Sequence, residues 1–488
     1  MSKTTVLYKD VAPGAEENAQ VSASGYAEDS NLELLPFGVS PAPVATLEPG
    51  RWKIDGTFVL RDTETLGFWS SELSDYDGVF STAPSIEFQF TKQYSSVGVS
   101  VIFDEATGEY CSEINIKWYQ GSTLKSDVDF YPDSTNYFCK NTVTSYDKVV
   151  ITFLKTSLPR RYAKVNMVVF GILRKFGMSE IRNASVINEM SGISETLPVS
   201  TFKWTLDSRE NIQFMFQLKQ PVEIENNGNL LGVYYIDNHR RKTERIYEIE
   251  CYDAIGVLDE IAFPGGIYSN KSAKFLLNEI VGDDFTIQYA DDVQDVNLSG
   301  IIQSGSKREA MQQVLFAWGV CLSTDSNRKI KIFNLDTVLS EIGTDRTFSG
   351  GSTDISALVT EVRVTAHSYA EDANGSVEIG GKKYTDTRTV YSIQNADVTA
   401  NDKQNVKTVE HATLVSPSNG QAVAQRVYNW YQRRVTANAS IVWQKESLGD
   451  YVSLPNSWNE FDTGNITKME IKLSNTVVAK CTAVGQGG

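Results

Sequence analysis

Thr467-Lys-Met-Glu-Ile-Lys-Leu473 is the clearest alternation in the chain, with Met469, Ile471 and Leu473 on one face and Lys468, Glu470 and Lys472 on the other. Side chains along a β-strand point to opposite faces in turn, so this spacing predicts a strand with one side in a core and one in water. The same period recurs upstream at Thr360-Glu-Val-Arg-Val-Thr-Ala366 and at Ile441-Val-Trp-Gln444, with a hairpin around Gly380-Gly381. Between them Ser418-Asn-Gly-Gln421 has the spacing of a capping box. It opens a helix with Val423, Val427, Trp430 and Tyr431 on one side and Arg433 and Arg434 complementing the dipole at its far end. The expectation is a strand-rich region over 346–488 carrying one helix at 418–434.

A second strand-rich region is expected over 193–262. Phe202-Lys-Trp-Thr-Leu206 alternates, Phe214-Met-Phe-Gln-Leu218, Leu231-Gly-Val-Tyr-Tyr-Ile236 and Tyr247-Glu-Ile-Glu-Cys251 follow, and Glu225-Asn-Asn-Gly228 supplies a hairpin turn. Arg240-Arg-Lys-Thr-Glu-Arg245 is the densest positive cluster in the sequence. It reads as a solvated hairpin, with contact to an acidic partner subunit as the sharper alternative.

Within 263–345, residues 270–282 and 306–319 carry helix period instead. Ala273, Leu276, Leu277 and Ile280 share one face, as do Ala310, Val314, Ala317 and Trp318. Ser306-Lys-Arg-Glu309 is a capping box and Gly319 a stop, and the strand Lys329-Ile-Lys-Ile-Phe333 follows a turn at Asp325-Ser-Asn327. This predicts a small α+β subdomain between the two strand-rich regions.

Ahead of them lies a separate all-β module, 48–172. Ile86-Glu-Phe-Gln-Phe90, Ile114-Asn-Ile-Lys-Trp118 and Val128-Asp-Phe130 alternate, and Val149-Val-Ile-Thr-Phe153 and Val165-Asn-Met-Val-Val-Phe170 are more continuously apolar. Turn signals at Tyr76-Asp-Gly78, Ala106-Thr-Gly108 and Tyr131-Pro-Asp133 divide the runs, as in an antiparallel β-sandwich. Residues 1–47, ending in Pro36-Phe-Gly-Val-Ser-Pro-Ala-Pro43, are expected as an extended arm and 173–192 as a linker.

Composition narrows the function. The 488 residues include 45 Lys and Arg against 61 Asp and Glu, a formal charge of −16, which argues against a protein that grips phosphate backbones. Repulsion does suit a conduit along which a polyanion slides. The start Met1-Ser-Lys-Thr-Thr-Val carries no apolar signal segment, and no run approaches the roughly 18 apolar residues of a membrane span, so a soluble product of a cytosol with no membrane span is expected. Cys111, Cys139, Cys251, Cys321 and Cys481 lack metal-ligand spacing and read as reduced, mostly buried thiols. His239, His367 and His411 are isolated, so neither a metal site nor a cofactor is expected. Asp283-Asp284 and Asp291-Asp292 are adjacent acids on loops, read as solvated rather than as a glycosidase pair, and Gly350-Gly351 and Gly380-Gly381 lack the Lys-Ser/Thr of a phosphate loop. No catalytic residues are assigned, and the chain is not expected to be an enzyme.

The order of barrel, helix-bearing insert and second barrel with a helix ending in Tyr428-Asn-Trp-Tyr-Gln-Arg-Arg434 resembles the baseplate-hub or tail-tip family of bacteriophages over about 193–485. Leu448-Gly-Asp-Tyr-Val-Ser-Leu454, Gly464-Asn-Ile-Thr-Lys-Met-Glu-Ile471 and Val484-Gly485 look like the closing strands of such a barrel. The resemblance implies a mainly β fold with a smaller α+β part, namely an N-terminal β-sandwich followed by two hub-type β-barrels flanking a helix-containing subdomain. It implies a homotrimer whose paired barrels form a six-barrel ring between sixfold tail tube and threefold tip. DNA would pass through without specific binding. The implied partners are the tail tube, the distal tail protein and a spike or tip protein, and the implied location is the virion, assembled in the host cytoplasm. The chain ends just after the second barrel, so a tip plug is expected to belong to another chain. The module at 48–172 resembles the carbohydrate-binding-type sandwiches of phage tail proteins. On that likeness Trp69, Trp118 and Tyr119 are candidate stacking residues for host cell-wall polysaccharide, the alternative being that they pack the core or a subunit interface. A host-surface glycan-binding protein is therefore the alternative function.

Overall fold

The computed structural model describes residues 4–11, 14–39, 44–46, 48–51, 66–208, 216–396, 398–399, 403–456, 458, 460–474 and 476–486. Trp52, the stretch 40–43 and the first two residues of the strand expected at 214–218 lie outside them. The chain divides into two compact units, Leu7–Lys175 and Met1–Val6 with Phe176–Gly488.

In the unit Leu7–Lys175 one sheet runs in the order Phe68–Trp69, Lys164–Val169, Ser85–Phe103, Asn136–Thr156, Cys111–Gln120, Thr123–Phe130, and Ala19–Ser24 also pairs with Ser85–Phe103. The two central strands are 19 and 21 residues long, and register shifts between Gln89 and Tyr94, Tyr94 and Ser96, and Ser96 and Gly98 bend them. Bent strands let a single sheet fold over its own apolar face. Inside, Phe90 meets Phe170 edge-on at 4.8 Å between centroids and Phe68 stacks on Phe153 at 5.3 Å. The sandwich expected at 48–172 is thus larger than its sequence signal. Ala19–Ser24, expected as extended arm, is one of its strands, pairing from Ala19↔Phe90 to Ser24↔Ser85. Its inward residues Ala19, Val21 and Ala23 are too small to mark a strand by hydropathy.

Charge is buried here only where it is paired. Lys164 Nζ donates to Glu48 Oε2 at 2.7 Å and to Glu109 Oε2 at 3.1 Å, and Arg51 and Arg161 donate to Glu109 Oε1 at 2.8 and 2.5 Å. Burial pushes the Glu109 carboxyl up, but Lys164, Arg51 and Arg161 outweigh it and hold the group below its ordinary value. Removing one partner from such a cluster would strand an opposite charge in the interior.

The second unit is organised by one long sheet. Its strands are β1 (Ile181–Glu189), β2 (Thr201–Asp207), β3 (Pro221–Asn226), β4 (Asn229–Arg241), β5 (Ile246–Tyr252), β6 (Leu339–Glu341), β7 (Ser352–Ile355), β8 (Val435–Val442), β9 (Tyr451–Pro455), β10 (Phe461–Lys472) and β11 (Val478–Gly485). Within this unit the order is β7-β8-β11-β10-β1-β2-β5-β4-β3, with β9 between β6 and the start of β10. The stretch with the clearest alternation is the seam: β10 pairs with β1 from Lys472↔Ser185 to Lys468↔Glu189, and Lys468 Nζ reaches Glu189 Oε1 at 2.5 Å. Both halves of the sheet roll up. In the first, Tyr234 of β4 donates to Asn188 of β1 at 2.6 Å across buried space, although two strands intervene in the sheet. Flat strands that far apart would lie about 14 Å from each other. In the second, Thr353 of β7 donates to Asp462 of β10 at 2.5 Å, and Gly351 packs so closely that a Cβ there would sit 2.7 Å from the Pro455 carbonyl oxygen. The β3–β4 hairpin closes through Asn227 and Gly228, both with positive φ (51° and 79°), the mirror-image turn whose twist matches the strands.

Two boundaries differ from expectation. The segment 173–192, expected as a linker, contains β1, the strand that couples the two barrels. The second barrel does not take all of 346–488. Strands Glu361–Glu371, Val377–Ile379, Lys382–Gln394 and Val406–Val409 form a separate four-stranded sheet. Their buried Val362, Val364 and Ala366 share one core with helices α1 (Ala254–Asp259), α2 (Ala273–Val281), α3 (Lys307–Trp318) and α4 (Gly420–Tyr431). Alternation marks an inward face but does not say which core that face meets.

The helix ends follow local chemistry. Ser306 and Glu309 satisfy each other's backbone N–H as a full capping box, and Gly319 ends α3 at φ 98°. α4 differs from its expected cap: Asn419 is the N-cap residue and makes no capping bond to the helix, its Oδ1 instead accepting from Ser416 N at 2.8 Å.

Candidate assembly surfaces

The sequence's reactive groups are dispersed. His367 is buried, with Nδ1 3.0 Å from Asp386 Oδ2 and Nε2 2.9 Å from the Glu410 carbonyl oxygen, while His411 is exposed and His239 lies beside Phe216 in the first barrel. His367 therefore ties the strand Glu361–Glu371 to Lys382–Gln394 and to the segment after Val406–Val409. Asp284 is held by Lys307 at 2.6 Å and Asp292 by Asn334 at 2.9 Å, both exposed acids on loops. No group of three or more His, Cys, Asp or Glu placed to hold a metal occurs among the described residues. All five cysteines are buried free thiols, and burial pushes them up, Cys321 and Cys481 to about 12. No helix among the described residues is long and apolar enough to cross a membrane.

The three aromatics considered for sugar stacking occupy different settings. Trp118 is 0% exposed and packs edge-on against Phe130. Trp69 is buried between Tyr162 and the Lys164 ammonium, which sits 4.7 Å from its ring. Stacking on a pyranose needs an open ring face, and these two have none. Tyr119 is half-buried with Lys148 4.8 Å from its ring centre. Ile114-Asn-Ile-Lys-Trp118 already placed Trp118 on the inward side of its strand, in phase with buried Ile114 and Ile116.

Large exposed apolar groups flank instead the segment that closes the second barrel. Trp458 is 70% exposed and Phe461 52%, at the turn between β9 and β10. Phe348 (47%) and Ile355 (69%) flank the Gly351–Thr353 segment that packs on that turn. Single exposed apolar residues are ordinary, but here Phe348 lies opposite Ser440 and Ile355 opposite Val435, towards the two ends of β8, with Trp458 and Phe461 on the turn that packs on the segment between them. Asp354 precedes Ile355 in β7, Glu460 precedes Phe461, and Asp462 accepts from Thr353. Among the cations there, Arg346 is engaged by Glu446, and Arg434 donates to the carbonyl of Ser356 beside Ile355.

On the first barrel the β4–β5 hairpin carries the basic cluster, Arg240 to Arg245, wholly exposed. Lys242 pairs with Glu248 at 2.5 Å, Arg245 lies 3.5 Å from Asp207, and Arg241 donates to backbone carbonyls of Thr243 and Glu244. Arg240 is paired through its backbone with Glu248, and its side chain makes no hydrogen bond or ion pair among the described residues.

These features define a mainly β protein with two barrels on a shared sheet. No family model matches the chain, and no curated protein matches it. Among solved structures it is similar to the tail protein from Neisseria meningitidis MC58 (11% identity, 64% of this chain and 94% of that chain, TM-score 0.47). It is similar also to the 43 kDa tail protein of prophage MuSo2 from Shewanella oneidensis (10%, 64% and 96%, 0.45) and to prophage tail protein gp18 from Listeria monocytogenes EGD-e (11%, 63% and 91%, 0.42).

Proposed function

We propose that the chain is a structural protein of a bacteriophage tail, the trimeric hub of a baseplate or tail tip that joins the sixfold tube to the threefold tip around the DNA channel. The observation that carries this is the coupling of two barrels through the β1–β10 pairing. A chain with two barrels on one continuous sheet presents two ring-building units in fixed relation, and three copies present six. That is a direct way to match threefold to sixfold symmetry. The exposed apolar groups around the closing segment of the second barrel support an assembly role, since an isolated monomer rarely leaves a Trp, two Phe and an Ile open around one segment. The formal charge of −16 fits a conduit that DNA traverses without specific binding. The partners are then other copies of the chain, the tail tube, the distal tail protein and a spike or tip protein, and the place is the virion, built in the host cytoplasm. The host-glycan alternative loses the open faces of Trp69 and Trp118.

A symmetry-resolved reconstruction of isolated tails tests the proposal. Three copies ringing the channel below the tube are expected. Absence of the chain from the particle, or its presence as single copies away from the axis, would overturn it.

A further inference from the structure

We propose that the exposed apolar and acidic residues around the closing segment of the second barrel are the seat for the basic β4–β5 hairpin of a second copy of this chain. The inference rests on the trimeric reading and names the surfaces that would build the trimer.

The argument begins with charge. Each copy carries −16, so two copies repel on average and need a local match to associate. Arg240-Arg-Lys-Thr-Glu-Arg245 is the densest positive cluster of the chain and is exposed throughout, and the Arg240 side chain, opposite Glu248 in the ladder, makes no ion pair among the described residues. The tip's remaining cations are held by surface pairs, by carbonyls and, for Arg241, by the Tyr247 ring 5.5 Å away, exposed contacts of a kind worth little in water. The opposite surface combines exposed Trp458, Phe461, Phe348 and Ile355 with Asp354 and Glu460.

The two surfaces match in chemistry as well as in sign. Guanidinium groups stack on Trp and Phe faces while pairing with neighbouring carboxylates, and the methylene stems of Arg and Lys cover apolar surface. Within one chain no side-chain hydrogen bond or ion pair joins the hairpin tip to that surface among the described residues. A contact between different patches of identical copies is head-to-tail, and such contacts close into rings when the rotation permits. Second barrel then meets first barrel around the ring, as the β1–β10 seam already joins first to second within each chain.

Charge exchange on the full chain tests this by sedimentation velocity. Arg240→Glu with Lys242→Glu is expected to weaken association at least tenfold, and Asp354→Lys with Glu460→Lys to do the same. All four substitutions together should restore it. Unchanged association in either pair, or no recovery in the fourfold variant, would overturn the proposal. A second measurement does not depend on how those variants fold: an Arg240→Cys chain mixed with a Glu460→Cys chain and a short bis-maleimide should give a cross-linked dimer only in the mixture, the five native thiols being buried. No dimer overturns the contact. If tails show three copies around the channel while the reversals change nothing, the hub reading stands and this contact falls. A wild-type chain that stays monomeric removes both.

Discussion

Asp325 sits where three parts of the second unit meet. Its neighbour Ser326 donates to Leu231 of β4, its Oδ2 accepts from Leu448 N at 3.0 Å in the loop before β9, and its Oδ1 accepts from Ser323. Burial pushes its carboxyl up to about 7, with Asp450 adding to the rise and the Leu448 N–H opposing it. Asp253, at the N-cap of α1, and Asp450 are raised by burial as well. A carboxyl raised in the folded state binds its proton between the unfolded and folded values, so stability falls as pH climbs from about 4 to about 7 and levels off above. The Asp325 contribution is on the order of 4 kcal/mol, at about 1.4 kcal/mol for each tenfold change in proton affinity. Asp325→Asn keeps an acceptor for Leu448 and removes the ionisation. We expect the variant to be the more stable chain at pH 8, with a difference that shrinks towards pH 5. Melting temperatures measured across that range would check the sign, and a wild-type chain that stabilises with rising pH would contradict it.

At the scale of elements, the β1–β10 seam makes a prediction that separates one coupled sheet from two neighbouring barrels. Val186 and Ile471 face each other across it, both buried. Val186→Asp would place an unpaired carboxylate there at a cost of about 3 kcal/mol or more. Hydrogen exchange should then rise in β8 and β11 as well as in β2 and β5. Loss of protection confined to β1 and β2 would mean that the barrels are independent. The seam also shows what sequence could and could not reveal. β10 was legible because large apolar residues alternate with charges. β1, Ile181-Arg-Asn-Ala-Ser-Val-Ile-Asn-Glu189, buries Ala184 where a large residue would have declared the period, and so it resembled a linker. α1 has six residues, too few to display a helical stripe, although Asp253 caps it through Ile255 and Gly256 N–H. Capping at Ser306, the Asn227-Gly228 turn and the stop at Gly319 depend on neighbours in sequence and were readable. The allocation of 356–434 to the helical core depends on contacts far along the chain, and no local period carries it. The same limit applied to the surfaces: the basic hairpin stood out as a run, whereas the apolar surface is assembled from Phe348, Ile355, Trp458 and Phe461, more than a hundred residues apart.

For the whole molecule the decisive quantity is charge. Three copies would bring −48 together, three times −16, around any channel they enclose. At physiological salt the field reaches only about 8 Å, so DNA moving through a lumen feels the groups that line it rather than the sum. A lining of carboxylates and neutral polar groups would repel the backbone weakly and evenly. Basic residues on the lining would instead exchange counterions with phosphate and bind with a steep dependence on salt. The densest basic cluster, 240–245, is assigned to the contact between copies, so the assembled protein should offer DNA less positive surface than the free chain. We therefore expect the oligomer not to retard linear duplex DNA in gel-shift experiments even at low ionic strength. The Arg240→Glu, Lys242→Glu chain should behave the same way, its defect lying in association alone. Retardation by the oligomer that vanishes with salt and with those two substitutions would place the hairpin on the channel, and the charge that was to hold the copies together would be holding DNA instead.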